Sequence, residues 1–154
     1  MTDRAIPESA GTLANRFGNC LEQIVVDRLS RGGWSHQRHA RIGRRLWGDP
    51  LVVDVVVDAD QFGEFPRGVA IECKWQQVPG SADEKFAFLA LNVLHGAYPV
   101  PVIVLIDGGG ARRQAITWLR NQVDGRRLAH VWTLTEFLAW LNRQPRLPFA
   151  LIGR

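Results

Sequence analysis

The sequence predicts an α/β fold: a central mixed β-sheet flanked by helices. Three observations carry this. Apolar residues recur at helical spacing near both ends of the chain, short β-branched runs lie between them, and turn residues separate the runs at close intervals.

Leu13, Phe17, Leu21, Ile24, Val25 and Leu29 mark a first helix over 12–29, which Ser30 to Gly33 ends. Residues 34–46 read as a basic, exposed strand or arm, and Gly48-Asp49-Pro50 as a turn. Leu51 to Asp58, LVVDVVVD, is a strand. After a polar loop, Asp60 to Gly68, Val69 to Trp75 is the next, close enough to pair antiparallel. Pro79-Gly80 turns the chain, and the capping box Ser81-x-x-Glu84 starts a helix reaching about His95. Val102 to Ile106 is a short strand, followed by Asp107-Gly108-Gly109-Gly110. That run lacks the Lys-Ser/Thr of a phosphate loop and reads as a flexible turn. A helix with Ile116, Leu119 and Val123 on one face, a strand from Ala129 to Trp132, and a helix opened by the box Thr133-x-x-Glu136 complete the order, before a tail with Pro145 and Pro148. The order is α-β-β-β-α-β-α-β-α, a single domain over 1–154. Trp118, Trp132, Phe137 and Trp140 fall at expected core positions.

Composition narrows the function classes. At 154 residues, 46% apolar and 22% charged, the chain is an ordinary globular sequence with one core. Its longest apolar run, Ala97 to Ile106, is too short to cross a bilayer, and the first residues show no apolar export signal. Cys20 and Cys73 match no metal spacing, so a cytoplasmic protein with free thiols is expected. The charge is unevenly distributed. Six arginines, two histidines (His36 and His39) and no acid lie between Arg28 and Gly48. Eight acids lie between Asp49 and Glu84 against Arg67 and Lys74, and five arginines lie between Arg112 and Arg127 against Asp124. Basic segments flanking an acidic middle suggest a polyanion partner, most commonly nucleic acid.

The acids sit where acids are uncomfortable. Glu72, Lys74 and Gln76 share one face of their strand; Val52, Asp54, Val56 and Asp58 share one face of the preceding strand. Pairing of the two strands can bring Asp54 beside Glu72. Two such carboxylates repel and drift towards protonation unless a cation stands between them. Lys74 is one cation, and Mg²⁺ is a better one: it is hard, takes oxygen ligands and keeps waters. A lone E-x-K in a strand is most simply an edge salt bridge. Against that stand Asp54 in the adjacent strand, the polar face on a strand that begins as core, and the use of lysine. The chain has 17 arginines but only two lysines, Lys74 and Lys85, both in this stretch.

Asp54, a gap, then Glu72-x-Lys74 at the end of an apolar strand resembles the PD-(D/E)XK nuclease superfamily, the restriction-endonuclease-like fold. Its α-β-β-β-α-β core matches the order read here from residue 12 to about residue 106. Lys74-Trp75-Gln76 followed by Gly80-Ser81-x-x-Glu84-Lys85 is similar to a subgroup of small restriction-type endonucleases. The resemblance implies metal-dependent phosphodiester hydrolysis, with Asp54 and Glu72 as ligands of Mg²⁺ (Mn²⁺ substituting) and Lys74 positioning or activating the water. One position departs from the pattern: Val53, not proline, precedes Asp54. Asp49-Pro50 holds the pair in reverse order but lies in a turn, so Asp54 is preferred.

Other positions support the reading. Glu22, on a polar line with Asn15 and Asn19 in the first helix, is a candidate metal contact, since superfamily members often bring an acid from this helix. Gln76 could orient the site or meet a phosphate. Glu84 is explained by its capping box. Lys85, a cation in the first turn of a helix, opposes the macrodipole and is a candidate phosphate contact. Arg38, Arg41, Arg44 and Arg45, with Arg112, Arg113, Arg126 and Arg127, would bind backbone phosphates, with His36 and His39 among them. The expected function is a Mg²⁺-dependent endonuclease on DNA, duplex by preference, acting as a homodimer to cut both strands. The alternative is a non-catalytic DNA-binding or assembly protein that retains the fold.

Overall fold

The computed structural model describes residues 10–76 and 82–146. The turn at Pro79-Gly80, Ser81 of the expected capping box, the side chain of Asn15 and Pro148 lie outside the described residues. The elements are α1 (Ala10–Gly32), β1 (His36–Arg44), β2 (Pro50–Val57), β3 (Val69–Trp75), α2 (Ala82–Leu94), β4 (Val102–Asp107), α3 (Arg113–Asn121), β5 (Leu128–Trp132) and α4 (Leu134–Asn142). The expected order and the α/β class are both found.

The five strands lie in sequence order in one mixed sheet. β1, β2 and β3 pair antiparallel; β3, β4 and β5 pair parallel. The basic segment is therefore the edge strand, and its exposed polar side chains suit a position with one partner. β4 lies between two parallel neighbours and is buried nearly throughout, which is why Val102 to Ile106 is apolar without alternation.

Two cores sandwich the sheet. On one face Leu21, Val25 and Leu29 of α1 and Phe137 and Trp140 of α4 pack on Val55, Ile71, Ile103 and Leu105. On the other, Phe86 and Val93 of α2 and Leu119 of α3 pack on Ala70, Val102, Val104 and Ile106. The split follows the two-residue period of the strands. Thr133 caps α4 as expected, its hydroxyl accepting from the Glu136 amide at 3.3 Å.

Three apolar positions differ from expectation. Ile24, Trp118 and Val123 are exposed. Ile24 borders the stripe that Leu21, Val25 and Leu29 already fill. Val123 lies beyond the end of α3, and Trp118 precedes Leu119, the helix's buried contact.

The triglycine run is not a loose turn. Gly108 has φ +102° and lies against the backbone of Gln76, so that a Cβ there would meet the Gln76 carbonyl oxygen at 2.5 Å. The Gly110 amide donates to that oxygen at 2.7 Å, and the Gln76 amide donates to the Asp107 carbonyl at 3.0 Å. The run clasps the chain just after β3. Gly109 also has a positive φ, +72°, but faces open space. Gly109→Ala should therefore cost about 1–2 kcal/mol of stability for backbone conformation alone. Gly108→Ala should cost about 1–3 kcal/mol more from overlap with Gln76. Urea midpoints of the two variants check this, and equal losses would show that the clasp contributes nothing.

Candidate active site at the β2–β3 fork

β2 and β3 pair only from Val55↔Ile71 to Val57↔Val69. One step beyond, where Asp54 would face Glu72, backbone pairing stops. The Asp54 side chain takes its place: Oδ2 accepts the Cys73 amide at 2.8 Å. A carboxylate thus satisfies a backbone donor that the divergence of the strands would otherwise leave unmet.

Glu72 lies behind it and is 4% exposed. Its Oε1 accepts the Tyr98 hydroxyl at 2.8 Å. Its Oε2 stands 4.0 Å from Lys74 Nζ, a loose approach beyond hydrogen-bonding distance. Burial pushes the Glu72 carboxyl up to about 7; Lys74 draws it back, and the neighbouring Asp54 charge adds to the rise. Tyr98 is in turn held well above the usual phenol range by its burial and by Glu72, so it stays a donor. Burial, followed by the Asp54, Glu22 and Glu72 charges, likewise raises the Cys73 thiol well above its ordinary value, which keeps it an inert packing group.

Two clefts open on this fork. One, of about 510 Å³, is lined by Asn19, Glu22, Asp54, Lys74, Gln76 and Lys85, among others. The second, of about 470 Å³, is lined by Arg45, Asp54, Glu72, Lys74, Lys85 and Tyr98, among others. Asp54 and both lysines of the chain border both.

A family model described as a PD-(D/E)XK nuclease superfamily domain matches residues 13–145. The chain belongs to this superfamily. Comparison with curated proteins and with solved structures returns no match. Asp54, Glu72 and Lys74, expected to carry the superfamily's motif, lie together at the strand fork, with Val53 preceding Asp54. Asp49 lies instead on the β1–β2 loop, 3.7 Å from Arg45 and exposed.

The superfamily's divalent metal finds a fitting donor set here. Half-buried Asp54 and buried Glu72 bring two carboxylates together in a setting that penalises their joint ionisation. Among the described residues no group of three His, Cys, Asp or Glu side chains gathers as a metal cluster. Two carboxylates are a usual protein contribution to a Mg²⁺ site that keeps its waters.

The remaining expected positions divide. Glu22 is buried rather than on a solvated edge, and its Oε1 accepts Arg38 Nε at 2.7 Å and meets His39 Nε2 at 2.8 Å. Arg38 also donates to Gln23 at 2.8 Å, so its guanidinium braces β1 against α1. Gln76 is buried in the first cleft, held by the triglycine clasp. Lys85 faces both clefts. Arg41, Arg44 and Arg45 are exposed on β1 and its turn, and Arg112 and Arg113 are exposed at the start of α3. Arg126 and Arg127 lie elsewhere, just before β5, lining a separate cavity of about 290 Å³ with Arg67. That places them at the opposite end of the parallel strands from Lys74.

One neighbour of the site escaped the sequence reading, and a second, His39, was expected only as a phosphate contact. Tyr98, in the loop before β4, is the only tyrosine of the chain, and that singularity was its one signal. His39 has φ +49°, an uncommon conformation for a side-chain-bearing residue in a strand. Arg38 faces Val55 and Ala40 faces Val53, so His39 falls across from Asp54. Nothing in the spacing forecasts that backbone.

The raised Glu72 carboxyl sets a pH dependence for the metal-free protein. Below about 4.5 both folded and unfolded chains carry the proton there and the site costs nothing. As pH rises through about 7 the unfolded chain is already ionised while the folded one must lose its proton at a penalty. Stability should fall across that window by an amount on the order of 3 kcal/mol. Glu72→Gln should remove this decline, so in EDTA the variant should gain on the wild type between pH 5 and about 8. Parallel stability curves for the two proteins would contradict the assignment.

Proposed function

We propose that this protein is a metal-dependent endonuclease that hydrolyses DNA phosphodiester bonds, with Asp54 and Glu72 as metal ligands and Lys74 acting on the attacking water. The observation that carries the reading is the meeting of these three side chains at one fork open to two clefts. A bound Mg²⁺ or Mn²⁺ would polarise the scissile phosphate and acidify a coordinated water.

The chain's own groups supply the rest. Asp54 is oriented by the Cys73 amide, so its remaining oxygen can be offered to a ligand. Tyr98 holds one oxygen of Glu72 and leaves Oε2 on the Lys74 side. The Lys74 ammonium is 39% exposed, lines both clefts and stands 4.0 Å from Glu72 Oε2. It can orient the attacking water, or take its proton when it enters the reaction as the neutral amine. Gln76 and Lys85 face the same space and suit contact with the phosphate. Glu22, joined to Arg38 and His39, supports the wall beside Asp54 and is a further candidate metal contact. The exposed Arg41, Arg44, Arg45, Arg112 and Arg113 suit backbone phosphates on either side.

One chain supplies one such fork, so cutting both strands calls for a homodimer, and we include that, with a cytoplasmic location, in the proposal. No helix among the described residues is long and apolar enough to cross a membrane.

Plasmid cleavage with Mg²⁺ against EDTA tests the activity. Asp54→Asn and Glu72→Gln each remove charge with little change of shape and should abolish cutting while DNA is retained. Wild-type cutting by either would sink the ligand assignment, and no metal-dependent nicking of any DNA would favour a binding protein that keeps the fold. Lys74→Arg separates charge from chemistry. Arginine keeps the positive charge but cannot give up its proton and offers a planar fork. Cleavage should drop about 10²- to 10⁴-fold with DNA affinity intact. A loss within about threefold would reduce Lys74 to a salt-bridge partner.

A further inference from the structure

The β1–β2 turn carries an aromatic side chain that the fold does not use. Trp47 is 80% exposed, the most exposed of the large apolar residues described. A tryptophan normally buries about 150–250 Å² and contributes strongly to a core. Among the described residues its ring neighbour is Phe88 of α2, stacked at 6.4 Å with an interplanar angle of 18°. That leaves the opposite ring face open.

The turn is nevertheless held firmly in place. The Gly48 amide donates to the Arg45 carbonyl at 2.8 Å and the Arg45 amide to the Asp49 carbonyl at 2.9 Å. Arg44 Nη1 donates to the Gly48 carbonyl at 2.8 Å. The Leu46 amide donates to Oδ1 of the buried Asn92 at 3.0 Å, and Asn92 Nδ2 donates to the Phe88 carbonyl at 2.9 Å. The tip is thereby pinned to α2, with Trp47 set beside Phe88. Phe88 and Arg45 in turn line the cleft that holds Asp54, Glu72 and Lys74. The exposed indole therefore lies next to Phe88 of the cleft wall, with Arg44, Arg45 and the Asp49 carboxylate on its own turn.

An exposed, preorganised aromatic face among arginines suits one ligand chemistry above others. Bases that have left the stack lie flat on aromatic rings, and basic side chains nearby take the phosphates. Leu46 and Val52 are exposed as well, and the arginines around this turn favour a polyanionic ligand over an apolar protein face. We propose that Trp47 is a base-stacking platform: its open face receives an unpaired base of the substrate, so that the enzyme favours DNA with single-stranded character next to a duplex. The assignment rests on the reading of the adjacent cleft as a nuclease site for DNA. It adds a substrate class which that reading leaves open.

Binding of two labelled probes without divalent cation, so that nothing is cut, tests it. One is a blunt duplex and the other a splayed-arm duplex with the same paired sequence. The wild type should bind the splayed probe more tightly. Trp47→Ala should weaken binding of the splayed probe by about 5- to 100-fold and leave the blunt duplex within about twofold. Trp47→Phe, which keeps a ring face, should recover most of the loss. Absence of a wild-type preference, or equal effects of Trp47→Ala on both probes, would overturn the platform. So would a Trp47→Ala variant that binds DNA unchanged but sediments as a smaller assembly, which would give the face to a second copy of the chain. Mg²⁺-dependent cutting of the blunt duplex by the wild type is scored separately, so the platform and the nuclease reading can fail independently.

Discussion

The Cys73 amide and the Asp54 carboxylate hold the site together. β2 and β3 part company after Val55↔Ile71, and a parting pair of strands exposes backbone groups that need partners. Asp54 meets that need with a side chain, which fixes the carboxylate at the mouth of the fork and at the level of Glu72. The separation of the strands also admits solvent and ligands between the two halves of the sheet. A continuous ladder would leave no cleft there; a fork without Asp54 would leave an orphaned amide. The geometry of the candidate site is thus a by-product of how the sheet ends.

The surroundings bury Glu72 and bring two carboxylates together with little positive charge close by, so that Glu72 keeps its proton up to about pH 7. Glu72 is buried, receives a neutral hydroxyl from Tyr98, and has its nearest ammonium at the edge of contact. Glu22, by contrast, is buried with Arg38 and His39 directly upon it. Two buried acids therefore follow opposite rules within one wall. The Glu22 cluster ties β1 to α1 through Arg38, whereas among the described residues the Asp54–Glu72 pair has Lys74 at 4.0 Å as its cationic contact. Buried charge without a close partner is unfavourable for stability and is common where a ligand supplies the partner.

Much of this was legible in the sequence, for physical reasons. The β-branched runs dictated the strands, the short polar loop from Asp60 to Gly68 dictated their antiparallel pairing, and the two-residue period then placed Asp54 near Glu72. Periodicity could not show that Gln76 and Glu72, on one face by count, open on different clefts, because the strand ends between them and the triglycine clasp redirects the chain. It could not bring Tyr98 back onto Glu72 across 26 positions. It also could not tell Arg38, held by Glu22, from Arg41, or send Arg126 and Arg127 to the far end of the sheet, since charge runs carry no direction. Trp47 was passed over because an aromatic in an apolar count defaults to the core. Its neighbours, a Gly-Asp-Pro turn after a basic strand, were the signal that it lies outside.

If Asp54 and Glu72 form a cation site, the proton on Glu72 takes the place of the cation and must leave when one binds. Calorimetric titration of Mn²⁺ into the DNA-free protein, repeated in buffers of different ionisation enthalpy, counts the protons released on binding. With the Glu72 carboxyl at about 7, close to one proton should leave per cation at pH 6 and almost none at about pH 9. Glu72→Gln should lose the release together with most of the affinity. Absence of cation binding in the wild type, or a proton count that is the same at both pH values, would contradict the account.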